Sequence, residues 1–291
     1  MNQARSSLVY LNGTFVPGHR AKISLFDRGL LYGEGLFETM RSYSGQVFRL
    51  DEHLRRLRGS CKLLNIKLSL NDSALKKAVY KTLKKNNLAD AYIRITVTKG
   101  EAEPGFSQAV YGEPNLFIIA HLFKPYPPRL YETGLKAIIS KIKQNEGSPL
   151  VNIKSLNFLN NILAKNEAYE KGAGEAILTN TKGYITEAAT SNIFLVLGHS
   201  LITPSIDSGI LPGITRQAVL EIASKLKLKT KTKKILPAEL FKADEIFLTN
   251  SLAEIVPVVK INKKIIGNGR AGQITQLIHK QYRQLVRKNL G

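Results

Sequence analysis

Strand-like and helix-like patterns follow one another along the whole chain with no fixed period, and this interleaving most limits the folds open to it. Residues 8–16, LVYLNGTFV, place Asn12-Gly13 between two β-rich runs, which predicts a tight hairpin. Leu54, Leu57, Cys61 and Leu64 recur at helical spacing, as do Leu75, Val79 and Leu83, giving two amphipathic helices. Over residues 92–98 the period becomes two, with Ile93, Ile95 and Val97 on one face and Tyr92, Arg94, Thr96 and Thr98 on the other. A second strand over 115–122 leads into KPYPPRLYETG, where Pro125, Pro127, Pro128 and Gly134 interrupt regular structure.

The domain boundary is expected there, with a small N-terminal α/β domain over 1–124, a linker over 125–134 and a larger domain over 135–291. Beyond the linker, strands at 135–142, 175–179, 184–187, 193–197, 245–249 and 256–261 mix with helices at 156–171, 216–226 and 272–288. So irregular an order predicts a mixed α/β (α+β) fold and not a regular doubly wound sheet.

At 291 residues, 43% hydrophobic and 22% charged, the chain has the composition of a globular protein, which excludes disorder, collagen-like repeats and a disulfide scaffold. Its single cysteine, Cys61, cannot form an internal disulfide, and a reducing, cytoplasmic setting is expected. No uncharged apolar run approaches the roughly 18 residues of a membrane span, and Arg5 with the short stretch after it makes neither a signal peptide nor an anchor. Lys and Arg outnumber Asp and Glu 43 to 22. The lysines are scattered through amphipathic segments, however, and no helix-turn-helix, finger or RNP signature accompanies them, which argues against nucleic acid as the main partner. A positive field equally attracts small anionic substrates and cofactors.

Four stretches could carry chemistry. In LPGITRQAVLEIA, Pro212-Gly213 makes a turn and Thr215 is the expected N-cap of a helix whose first backbone N–H groups could bind an anion; an ordinary capped helix reads the same way. In RLDEHLRRL, Arg56 lies off the stripe of Leu54 and Leu57 and could reach an anion, although Arg55 and Arg58 fit nearly as well. Lys154, before a helix with apolar Leu159, Ile162 and Leu163, could be a nucleophile or Schiff-base former. Glu187, at a strand end, could face a cationic ring nitrogen or lie in a surface turn.

Taken in order, VYLNGTFVP, FDRGLLYGEGLFETMR, FRLDEHLRRL, AYIRITVTKG, KSLNFLNNILAK, ITEAATSNIFLV, LPGITRQ and TNSLAEIVPV resemble the class IV aminotransferase family, the fold-type IV pyridoxal-phosphate enzymes. That group includes branched-chain amino acid aminotransferases, D-amino acid aminotransferases and aminodeoxychorismate lyases. The resemblance implies a two-domain enzyme with a larger C-terminal pseudo-barrel domain and pyridoxal 5'-phosphate in the cleft between the domains. It also implies a homodimer in which the partner's N-terminal domain contributes to the pocket. By the same resemblance Lys154 holds the cofactor as an internal aldimine and Glu187 pairs with the pyridine nitrogen, while the phosphate rests on Arg56, on the N–H groups of Ile214 and Thr215 and on Ser251. Tyr92 and Arg94 match the family's Tyr-x-Arg strand for substrate carboxylates, Phe37 lies beside the substrate, and the Leu252 N–H approaches its carboxylate.

The pattern departs from branched-chain members in three places. Phe37-Glu38-Thr39 replaces Phe-Glu-Gly, Asn250-Ser251-Leu252 replaces Gly-Thr-Ala, and Phe158 stands where many of them have a tyrosine beside the cofactor's ring oxygen, a hydrogen bond phenylalanine cannot make. The implied activity is transamination between a branched-chain-like amino acid and 2-oxoglutarate. The alternatives are an aminodeoxychorismate lyase that releases pyruvate and 4-aminobenzoate, a D-amino acid aminotransferase, or a basic nucleic-acid-binding protein.

Overall fold

The structure is a computed structural model that describes residues 7–103, 105 and 112–289. Two compact units are distinguished, one holding the chain up to Lys124 together with Ile153–Asn157, the other Pro125–Asn152 and Phe158–Lys288.

The first unit opens with β1 (Leu8–Leu11) and β2 (Thr14–Pro17), joined by Asn12 and Gly13 at φ 47° and 95°. Two positive φ values are what a tight hairpin demands, which is why Asn-Gly stands there. A short helix α1 (Arg28–Tyr32) is capped by Asp27, a buried carboxylate that accepts from Gly29 N, Thr98 Oγ1 and Asn115 Nδ2 at 2.6–2.7 Å. Next come β3 (Gly35–Tyr43), β4 (Gln46–Val47), α2 (Leu50–Leu63), α3 (Asp72–Lys85), β5 (Ala91–Thr98) and β6 (Leu116–Leu122). The strands form one sheet in the order β2-β1-β6-β5-β3-β4, antiparallel throughout. Its inner face carries Leu36, Met40, Ile93, Ile95, Val97 and Ile118, packed against Leu54, Leu57, Leu75 and Val79 of α2 and α3. Cys61 lies in this core, and burial pushes its thiol up to about 12, which keeps it unreactive.

The second unit begins with α4 (Pro128–Thr133), a helical turn started by proline within the stretch expected to be linker. It continues through β7 (Leu135–Gln144), α5 (Leu159–Glu170), β8 (Glu175–Asn180), β9 (Ile185–Ala188), β10 (Asn192–Leu197) and β11 (Ser200–Pro204). Then follow α6 (Ile214–Lys225), β12 (Lys229–Lys233), α7 (Pro237–Leu240), β13 (Glu245–Asn250), β14 (Glu254–Ile261), β15 (Lys264–Ile265) and α8 (Gln273–Lys288). The sheet runs β12-β11-β10-β13-β14-β7-β8-β9, with β15 paired to β14, and mixes parallel and antiparallel neighbours. Its ends curl toward each other: β9 returns to β10 and β11, and Ile177, Ile185, Ile193, Leu195, Ile246 and Val258 meet in one core. This is a pseudo-barrel in a mixed α/β fold.

Two expectations change, and one strand goes unforeseen. The helix expected over 156–171 starts only at Leu159, because Ser155, just before it, bridges Leu36 of β3. Thr215 lies inside α6, whose N-cap is Gly213. The exposed strand β12, KTKTK, has no apolar residue to reveal it and is held by parallel pairing to β11.

Candidate active site

In the first unit the site is built around β3. The backbone of Lys154 pairs with the free edge of that strand: Phe37 N donates to Lys154 O at 2.9 Å, and Leu156 N donates to Gly35 O at 2.9 Å. A side chain at Gly35 would put its Cβ 2.6 Å from Leu156 Cδ1 and 2.7 Å from Val97 O, so glycine is required for this approach. Lys154 Nζ lies 4.4 Å from the centre of the Phe37 ring, and Arg94 Cζ lies 3.7 Å from it. The sheet register explains the grouping. Phe37 pairs with Thr96 and Thr39 with Arg94, so Phe37, Arg94 and Thr96 share the face turned away from α2 and α3.

Arg94 is half-buried. Its Nε donates to Thr96 Oγ1 at 3.1 Å, Tyr92 interacts with it two residues back on the strand, and no carboxylate of the described residues pairs with it. Burial lowers its basicity and Tyr92 opposes that shift; a guanidinium nevertheless keeps its charge. The Tyr92 ring stacks on His121 with centroids 6.3 Å apart.

The opposite face of β3 holds a group that the sequence did not single out. Glu38, between Leu36 and Met40 on the apolar side, is fully buried; its Oε1 accepts from Arg56 Nε at 2.8 Å, and its Oε2 accepts from Arg56 Nη2 and His53 Nδ1, each at 2.7 Å. Burial alone would raise the Glu38 pKa, but Arg56 and His53 outweigh it and hold the carboxyl down at about 2. Burial lowers the His53 pKa against the pull of Glu38, so the ring is neutral near pH 7 and the contact assigns its proton to Nδ1. Its signal, an acid at an inward-facing strand position that demands a partner, becomes readable only once β3 is known to be a strand.

In the second unit Glu187, on β9, is buried. Its Oε2 accepts from Asn192 Nδ2 at 2.9 Å and from Leu211 N at 3.2 Å, and its charge acts on the buried Arg216. The 211–215 segment then turns into α6, whose N-cap Gly213 has extended backbone and no side-chain cap, so the first turn, with Ile214 and Thr215, presents N–H groups as an anion site does. A Cβ at Gly213 would collide with Asn192 Oδ1, which binds the start of α6 closely to the Glu187 partner. After β13, Asn250 Oδ1 accepts from Leu252 N at 2.9 Å and Ala253 N at 2.7 Å, so the Leu252 N–H expected beside a substrate already has this acceptor; Ser251 sits half-buried in the same turn.

These residues suit a phosphate-bearing cofactor with a ring nitrogen. The Thr249 hydroxyl supports that fit: it is buried without a hydrogen-bond partner among the described residues. Thr249 pairs with Asn192 across β13 and β10, which sets both side chains on one sheet face. A buried hydroxyl left in this way costs about 1–3 kcal/mol unless a bound molecule answers it.

Residues 35–261 match the model of the amino-transferase class IV family, and the chain belongs to that family. It is therefore an enzyme of the class IV aminotransferase type. It is 41% identical over 278 residues to a Methanocaldococcus jannaschii protein provisionally named a branched-chain-amino-acid aminotransferase, covering 95% of this chain and 96% of that protein. With the aminodeoxychorismate lyase of Bacillus subtilis it shares 34% identity over 278 residues, 94% of each chain. Among solved structures it superposes on the branched-chain amino acid aminotransferase of Escherichia coli at a TM-score of 0.92 and 30% identity, covering 97% of this chain and 95% of that one. A further branched-chain amino acid aminotransferase, solved with pyridoxamine 5'-phosphate, superposes at a TM-score of 0.93 and 29% identity, covering 99% of this chain and 96% of that one. Among the described residues no helix is long and apolar enough to cross a membrane.

Proposed function

We propose that this enzyme is a pyridoxal-phosphate-dependent aminotransferase that exchanges the amino group of a branched-chain-like L-amino acid with 2-oxoglutarate. The observation that carries this reading is Arg94, a half-buried guanidinium with no carboxylate of the described residues paired to it, lying against the ring of Phe37. A cation held in this way suits a substrate carboxylate, which its fork can bind in bidentate fashion, while Phe37 offers an apolar wall to a hydrocarbon side chain.

When bound, pyridoxal 5'-phosphate supplies a carbonyl for the amine and a ring that takes up the electron pair left at the substrate Cα. Lys154 Nζ would be its attachment point and, as a free amine, would move the proton between Cα and C4′. Glu187, held by Asn192 and the Leu211 N–H, would keep a proton on the ring nitrogen. Arg56, the first turn of α6 at Ile214 and Thr215, and the Ser251 hydroxyl would bind the phosphate. Tyr92 and Arg94 would orient the substrate carboxylate, with Leu252 N joining them only where Asn250 Oδ1 releases it.

A homodimer is part of the proposal. Leu25 and Leu30, 76% and 64% exposed, form with Phe26 and Leu31 an apolar group around α1 that a second copy would cover. A cytoplasmic setting fits the single buried thiol. The Bacillus subtilis relative supports a second reading as an aminodeoxychorismate lyase.

One experiment separates them. The protein is reconstituted with pyridoxal phosphate and its visible spectrum is followed as L-leucine, L-glutamate, D-alanine and aminodeoxychorismate are added in turn. Bleaching by L-leucine and L-glutamate, reversed by 2-oxoglutarate, is expected. Pyruvate release from aminodeoxychorismate with no response to amino acids would establish the lyase, and failure to bind the cofactor would overturn both readings.

A further inference from the structure

We infer that Glu38, backed by His53, is a positioning residue that presets Arg56 for a phosphate and thereby sets how strongly this chain prefers a phosphorylated ligand over its unphosphorylated counterpart. The inference rests on the phosphate role proposed for Arg56. Glu38 grips the guanidinium along its Nε–Nη2 edge with two bonds of 2.8 and 2.7 Å. Because the guanidinium is planar, two bonds on one edge fix both its plane and the direction of its remaining N–H groups. His53 Nδ1, 2.7 Å from Glu38 Oε2, prevents the carboxylate from turning, and α2 carries both His53 and Arg56, one turn apart.

Two opposed effects follow from placing an anion there. The Glu38 charge weakens the long-range pull of Arg56 on a phosphate, while fixing the side chain removes beforehand the rotamer freedom that binding would otherwise cost. If orientation dominates, loss of the Glu38 charge weakens phosphate recognition; if raw charge dominates, the same change strengthens it.

The test measures dissociation constants of pyridoxal phosphate and pyridoxal on the apoprotein, for wild type, Arg56→Ala, Glu38→Gln and the double variant. The quantity read is the preference for the phosphorylated ligand, which a merely structural defect would not move because it would weaken both ligands alike. Arg56→Ala should lower the preference by about tenfold or more, and Glu38→Gln by about three- to tenfold with pyridoxal affinity unchanged. The double variant should be no worse than Arg56→Ala. An unchanged preference in Arg56→Ala would overturn the phosphate reading itself. A lowered preference in Arg56→Ala with an unchanged or raised one in Glu38→Gln would overturn the positioning role alone. If Glu38→Gln does not fold, His53→Asn decides by the same ratio: a lower preference supports the role, and an unchanged one overturns it.

Discussion

The carbonyl of Lys154 accepts the amide of Phe37, 117 positions earlier in the chain, so the lysine is carried as an extra rung on the edge of β3 with its amine beside the Phe37 ring. Replacing Lys154 by Ala should leave that backbone rung in place while removing the amine. Turnover should fall by about 10³-fold or more, and the cofactor absorbance should shift to that of free pyridoxal phosphate. Thermal denaturation should move little, and a large loss of melting temperature would show that the side chain is structural.

Arg94→Met keeps much of the side-chain volume and removes the charge. The expected result is a rise in KM for glutamate of about 10- to 100-fold, since a charge-assisted bidentate contact contributes about 1.5–3 kcal/mol. Steady-state kinetics with glutamate and leucine would check this, and unchanged constants for both would remove Arg94 from the substrate site.

Gly213→Ala drives a methyl into Asn192 Oδ1, the residue that supports Glu187. The clash should destabilise the fold by about 1–3 kcal/mol, readable as a lowered denaturation midpoint, and should weaken cofactor binding. Asn192→Ala relieves the crowding but strips a donor from a buried carboxylate, so it should weaken cofactor binding without Gly213→Ala's steric defect.

The buried Glu38 should make stability depend on acid. Its carboxyl is held at about 2 against an ordinary 4.5, so the unfolded chain takes up the proton first as pH falls. The stabilisation is complete above about pH 4.5 and is lost progressively toward pH 2, amounting to about 3 kcal/mol. His53, whose pKa is lowered from 6.5, adds a loss of the same sign that begins at higher pH. Urea midpoints between pH 6 and pH 3 should fall more steeply for wild type than for Glu38→Gln, and parallel slopes would remove Glu38 as the cause.

Local patterns made much of the fold legible. Asn12-Gly13 marked the first hairpin, and strict alternation marked β5, because each depends on neighbours in sequence. β3 is not legible in the sequence because Phe37 and Leu36 are buried on opposite faces and Glu38 interrupts the apolar series, so no alternation survives. The true start of α5 depends on Ile153–Asn157 pairing with a strand more than a hundred residues away, which no local pattern encodes. The same division runs through the site. Arg56 could be seen to lie off its helix stripe, but its answering carboxylate is 18 positions away and became visible only once the sheet had formed.

The rung between Phe37 and Lys154 ties the attachment point of the proposed chemistry to the cooperativity of the first unit. A hydrogen-bonded strand amide exchanges with solvent only when its local structure opens, so the Phe37 N–H is a reporter on the lysine's backbone. Were the segment an ordinary surface loop, its exchange would be fast and the lysine's position would blur on the same timescale. Held by the Phe37 and Leu156 amide hydrogen bonds, the segment would lose its place only when these two rungs at the edge of β3 open.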